Sequence, residues 1–141
     1  MGLDSYIKVS KYLSPHSRET IKQHKDVTQL LNIFPDEGST LIEISFSGLY
    51  WRNCWYMHSW FSGYEEVALG DLQQLQQDCI DVINTSDKNK QLELFKNRFK
   101  YIDIISLDHI LPTLKYTVDR LSHIIHSPQY SDCVFSYESS W

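Results

Sequence analysis

Residues 46 to 64 carry eight aromatic side chains, Phe46, Tyr50, Trp51, Trp55, Tyr56, Trp60, Phe61 and Tyr64, in a chain of 141 residues with six Phe, four Trp and nine Tyr. Each such ring buries roughly 150–250 Å² when enclosed, so a stretch this dense either forms the centre of a core or presents rings to something else. From Tyr50 to Phe61 the residues Trp51, Cys54, Trp55, His58 and Phe61 recur at helical spacing and share one stripe, with Gly63 as the stop. Tyr56 and Trp60 fall off that stripe. A helix with rings on two sides needs cover from a second element, a partner or a ligand. The expectation is a central aromatic helix whose Tyr50, Trp51, Arg52, Trp55, Tyr56, His58 and Trp60 form a ligand- or partner-binding surface.

The rest of the chain supplies the elements around it. Tyr6 to Leu13 alternates Ile7, Val9 and Leu13 with Lys8 and Ser10, a period of two that predicts a strand. Leu41 to Phe46 alternates in the same way, and Cys133, Phe135 and Tyr137 predict a C-terminal strand. Ser17 caps a predicted helix from Arg18 to Leu31, and Phe34 to Gly38 reads as a turn. Asp71 is placed as the N-cap of a helix burying Leu72, Leu75, Cys79 and Val82 or Ile83, closed by Asn84 to Asp87. Lys88 to Lys100 follows, with Leu92, Phe95, Phe99 and Ile102 on one side. A last helix begins near Asp108, tolerates Pro112 in its first turn and turns Leu111, Leu114, Val118, Leu121 and Ile125 inward before Ser127-Pro128. These elements predict an α+β fold in a single domain spanning 1–141, a small antiparallel sheet of N-terminal, central and C-terminal strands packed on one side by three to four helices.

Charge narrows the partners. The formal net charge is −5, a repulsive average field for nucleic acid and for an anionic membrane, so neither is expected. The excess is local: between residues 41 and 87 only Arg52 is basic, against Glu43, Glu65, Glu66, Asp71, Asp78, Asp81 and Asp87. Glu65, Glu66, Asp71 and Asp78 are the candidate acidic patch for a basic partner. No apolar run approaches the ~20 residues that cross a bilayer, and the N-terminal residues lack a signal-peptide core. Cys54, Cys79 and Cys133 make no C-x-x-C pair and suit reduced, structural thiols.

Arg52, four residues before Tyr56, can stack on a ring or clamp an anion. His58 is a candidate general base, with Arg52, Tyr50, Glu43 and Asp4 as possible companions and none of them set by spacing. His123 and His126 stand three apart on one helix, which permits two metal ligands without a third. No phosphate-cradling, dinucleotide, nucleophile-elbow, zinc-protease or calcium-loop motif occurs, and no metal or cofactor is expected.

Three segments together carry a resemblance: the start Met1-Gly2-Leu3-Asp4-Ser5-Tyr6, the block Tyr50-Trp51-Arg52-Asn53-Cys54-Trp55-Tyr56-Met57-His58-Ser59-Trp60-Phe61, and the end Tyr137-Glu138-Ser139-Ser140-Trp141. The chain resembles a family of small phage and prophage proteins that open with MGLD-x-Y, carry a central Y-W-R-x-x-x-x-[IL]-H-x-W-F block and close on an aromatic-S-S-W tail. Members often have Asn where Trp55 stands, and a Gly- and Phe-rich insertion where this chain has Lys88 to Lys100. The resemblance implies a virus-encoded accessory protein of the host cell cytoplasm rather than a reaction. With the surplus aromatics and the acidic middle third, it leads to the expectation of a non-enzymatic protein that binds a host protein and inhibits an antiviral defence component. The alternative is a small-ligand or nucleotide-binding protein or enzyme in which Trp51 or Trp55 stacks a base, Arg52 holds phosphate and His58 orients it. A homo-oligomer burying the aromatic helix across a two-fold axis is compatible with the first.

Overall fold

Alternation along the first strand sets the layering. Leu3, Ser5, Ile7 and Val9 are fully buried, whereas Asp4, Tyr6 and Lys8 between them are half-exposed, the period of two of a sheet with one covered face. The computed structural model describes residues 2–13, 42–64, 66–130 and 133–141; the expected helix over 18–31, the turn over 34–38 and Glu65 lie outside them. Strand β1 (Asp4–Leu13) pairs with β2 (Ile42–Arg52) on one side and β4 (Val134–Ser140) on the other, and β4 also pairs with the two-residue β3 (Glu66–Val67). All pairings are antiparallel, in the order β2-β1-β4-β3. Four helices lie between β2 and β4 among the described residues: α1 (Trp55–Trp60), α2 (Leu69–Asn84), α3 (Lys88–Phe99) and α4 (Leu111–His126). The protein is an α+β fold, as its periodicities indicate.

β2, at the edge of the sheet, runs on past the expected Phe46 to Arg52 and contains a bulge. Ile7 faces Leu49 but Lys8 faces Ser47, so Gly48 is the extra residue. The apolar alternation of the sequence changes phase at the same point, from Ile42, Ile44 and Phe46 to Leu49 and Trp51. One inserted residue keeps such a pattern in step with its neighbour. α4 closes over the bulge: Arg120 Nη2 donates to the Gly48 carbonyl at 3.0 Å. A Cβ on Gly48 would sit 2.7 Å from Val9 Cγ2 and 3.3 Å from Ile124 Cδ1. Only the absence of a side chain lets strand and helix approach this closely.

α2 and α4 bury complementary stripes, Leu72, Leu75, Cys79 and Val82 against Leu114, Thr117, Leu121 and Ile124. On α4 Leu114 and Leu121 are buried as expected, whereas Thr117 and Ile124 take the inward places expected of Val118 and Ile125, which lie at the edge of the stripe. α2 begins two residues before Asp71; Ala68 is its N-cap, and Asp71 in the first turn accepts the Ala68 N–H at 2.8 Å. α3 buries Phe95 and Phe99 but not Ile102, which is 75% exposed. The helix ends at Lys100, whose φ of 54° is left-handed, and Tyr101 N–H returns to the Lys96 carbonyl. Beyond that cap, helical phase no longer governs where Ile102 points.

Gly48→Ala should therefore destabilise by about 1–3 kcal/mol through overpacking against the stiff Val9, read as a lower urea midpoint with the slope unchanged. Cys79 gives a second prediction. Burial, followed by the charge of Asp78, pushes its thiol above the ordinary range, so the native state holds the proton more tightly than the unfolded one. Stability from this group is complete below the unfolded thiol's pKa of about 8.5 and is lost as pH rises past it. Above that pH the parent should lose stability more steeply than Cys79→Ala, and the native thiol should resist thiol reagents at neutral pH.

Candidate functional site

The aromatic segment is not one helix but a strand, a corner and a short helix. β2 continues through Arg52, held by the pairings Ser5 with Trp51 and Asp4 with Arg52. Its alternation sends Leu49 and Trp51 to the buried side and leaves Tyr50 and Arg52 exposed. Asn53 then takes a left-handed φ of 56°, a conformation Asn tolerates better than most residues. Its N–H donates to the Leu3 carbonyl at 2.6 Å and its Oδ1 accepts the Leu3 N–H at 3.0 Å. A Cβ on Gly2 would lie 2.4 Å from Asn53 Oδ1. Past this corner the Cys54 carbonyl accepts from Met57 and His58, and α1 starts.

Resetting the chain at Asn53 inverts the expected distribution of rings. Tyr56, Met57, Trp60 and Phe61 turn inward and Trp55 outward. Trp51 is 2% exposed, and its Nε1 donates to Thr117 Oγ1 at 2.9 Å, which in turn donates to the Thr113 carbonyl. Trp60 is 8% exposed, and its Nε1 donates to Asp78 Oδ2 at 2.9 Å. Tyr56 sits edge-on to Phe95, Phe99 and Tyr101 and accepts from the Cys54 thiol at 3.4 Å. Burial pushes the Tyr56 hydroxyl well above its usual range. Trp51, Tyr56 and Trp60 are core residues, with their polar atoms satisfied, not a binding surface.

Asp78 is likewise not part of a surface patch. It is buried and accepts from Trp60, from Gln74 at 3.0 Å and from Arg98 at 2.6 Å, joining α1, α2 and α3. Asp71 is occupied by the α2 cap, and Glu66 is exposed at the sheet edge. Of the expected acidic patch only Asp78 is taken out by burial; Glu66 and Asp71 border one cleft, and Glu65 lies outside the described residues.

Besides Tyr64, which is exposed and stacks on Trp60 at 5.5 Å, two groups of exposed rings remain among the described residues. Tyr50, Arg52 and Tyr116 border an open cleft of about 260 Å³ with Pro112, Thr113, Cys54 and the edge of Trp51. Tyr50 Oη donates to Asp4 Oδ1 at 2.7 Å, and this bond raises its pKa. Directly after Cys54 comes Trp55, 45% exposed, whose ring lies 6.4 Å from that of Trp141, itself 68% exposed. His58 is wedged beneath both, 6.0 Å from Trp55 and 5.4 Å from Trp141 in edge geometry. Its Nδ1 is 2.8 Å from Tyr137 Oη, and Tyr137 stacks on Phe61 at 4.6 Å. Burial raises the Tyr137 pKa against the opposing effect of the Ser5 and Ser139 hydroxyls. Ser5 Oγ, enclosed behind Tyr137, makes no hydrogen bond of good geometry.

The structure thus separates Arg52 from His58. The partner of His58 is Tyr137, not Arg52, Tyr50 or Asp4, and the Tyr50 hydroxyl is bound instead to Asp4. Among the described residues, no three His, Cys, Asp or Glu side chains converge as metal ligands, and His123 packs on Tyr130. No helix of the described residues is long and apolar enough to cross a membrane.

The two classes of indole differ in a way stability measurements can read. Trp51→Ala and Trp60→Ala should each cost about 3–5 kcal/mol, because both leave a cavity and an unpaired polar group. Trp55→Ala and Trp141→Ala should stay within about 1 kcal/mol of the parent. Equal losses at all four positions in chemical denaturation would mean that the outer pair is also structural.

No family model, no curated protein and no solved structure matches the chain.

Proposed function

We propose that this is a phage-encoded accessory protein that binds a host macromolecule, a protein of the antiviral defence, through the exposed band of Tyr116, Tyr50, Arg52, Trp55 and Trp141. The observation that supports it most is the division of the indoles. Two are enclosed and hydrogen-bonded by the fold, whereas Trp55 and Trp141 are exposed and rest on each other and on His58. Trp, Tyr and Arg are the residues that dominate binding energy at protein interfaces. Arg52, in no ion pair among the described residues, adds a planar cation to a band otherwise composed of rings. The charge part of the reading rests on Arg52 and no longer on Asp71 or Asp78. A second reading, a phosphate-bearing small ligand, is favoured by the cleft in which Arg52 meets Tyr50 and Tyr116, bordered by the edge of Trp51 and without His58.

The test is affinity capture from host lysate followed by reconstitution with the purified partner. A stoichiometric complex should form with the parent and with a Lys115→Ala control. The Trp55→Ala/Trp141→Ala variant, with unchanged melting, should weaken it by at least roughly 30-fold, the loss of one interface hot spot. Absence of a stoichiometric partner, or equal binding by the double variant, sinks the proposal. A tryptophan-fluorescence response to nucleotides that vanishes in Arg52→Ala would transfer the function to the second reading.

A further inference from the structure

α3 and the segment after it present a second surface of opposite character. In a chain of net charge −5, residues 88 to 100 carry Lys88, Lys90, Lys96, Arg98 and Lys100 against Glu93 alone. Arg98 is engaged by Asp78 at 2.6 Å and Asp81 at 3.2 Å. Among the described residues none of the four lysines makes an ion pair. Lys90, Lys96, Leu94, Asn97, Glu93 and Ile102 enclose an open groove of about 580 Å³. Ile102 is 75% and Ile105 95% exposed. The fold holds them outward: the left-handed Lys100 ends the helix, Tyr101 and Ile104 pack against the core, and Ile104 N–H donates to the Ile102 carbonyl at 2.9 Å. Leaving two β-branched apolar side chains in water is unfavourable, and their place beside unpaired lysines is what an interface would use.

We infer that this groove, with the exposed Ile105 three residues beyond its Ile102, docks an acidic amphipathic segment of a partner protein, with apolar side chains against Leu94 and Ile102 and carboxylates on Lys90 and Lys96. Charge complementarity selects that occupant. Isoleucine offers no stacking face for nucleotides, and the overall negative charge opposes a polyanionic strand. Glu93 among the lysines and Asp103 just beyond them work against a uniformly anionic bilayer.

The probe is a fluorescein-labelled synthetic peptide with Leu at i, i+3, i+4 and i+7 of each repeat and Glu elsewhere, compared by anisotropy with a twin in which every Glu is Lys. The full-length protein should bind the Glu peptide, with affinity falling as salt rises, and not the Lys twin. Lys90→Glu/Lys96→Glu should lower affinity on the order of tenfold, as should Ile102→Ser/Ile105→Ser. Lys90, Ile102 and Ile105 are exposed and Lys96 is half-buried; circular dichroism and melting of both double variants should match the parent. The Trp55→Ala/Trp141→Ala variant should retain peptide binding, which separates this site from the aromatic band. Equal binding of the two peptides, no binding, or indifference to the serine variant overturns the inference. So does preference for a single-stranded oligonucleotide or for phosphatidylcholine–phosphatidylserine vesicles over the Glu peptide.

Discussion

The paired hydrogen bonds between Leu3 and Asn53 decide what the aromatic segment becomes. Without a left-handed residue at that point, β2 would run on and Trp55 would continue its alternation beyond Trp51. With it, the chain reverses over a single residue and restarts as a helix in a new phase. The ring order around α1 follows from that reset. Its partner in the turn is the chain just before β1, so the corner closes only when the central strand is in place. The Gly2 backbone lies so near Asn53 that any side chain there would collide with the amide. Local conformation and long-range pairing are thus the same event, the consistency across levels that makes one structure win.

From that corner the packing proceeds in two directions. Inward, Trp60 hands its N–H to Asp78, and Asp78 gathers Gln74 and Arg98, so α1, α2 and α3 share one buried carboxylate. Such a carboxylate is tolerable in a core only because its oxygens are supplied with donors. Outward, β4 runs beside β1 and brings Tyr137 and Trp141 over α1, where Tyr137 meets Phe61 and His58 and Trp141 meets Trp55. The sheet order is what makes this meeting possible: had β4 joined the far edge of β2, the C-terminal rings would lie elsewhere. The exposed indole pair is therefore supported by the most regular part of the fold, which suits a binding surface.

Period-two and period-3.6 patterns in β1, α2, α3 and α4 are long enough to be read from the residues, and there the structure follows them. In the aromatic segment two short patterns of different period abut. Trp51 and Trp55 stand four apart, which mimics one turn of helix although the first belongs to a strand and the second to a helix. The two signals that mark the junction were present, Gly48 inside a strand and Asn53 before a helix, but neither stands out among so many rings. Tyr116 carried no signal at all, since an exposed tyrosine on α4 acquires meaning only from β2 beside it. Spacing along the chain never pairs Tyr137 and Trp141 with His58.

The expectation that the aromatic helix has more ring than the fold can shelter is half fulfilled, and the half that fails matters more for function. Were its three indoles all exposed, the segment would be a sticky surface held by little. Instead Trp51 and Trp60 are pinned by Thr117 and Asp78 at either end of the corner, and these bonds fix the backbone from which Arg52 and Trp55 project. A partner at the proposed interface would meet rings whose backbone the fold has already ordered, and its binding would cost less conformational freedom than a flexible loop surrenders. The same residue type thus serves twice within a few positions, and the satisfied hydrogen bond distinguishes the supporting indole from the presenting one.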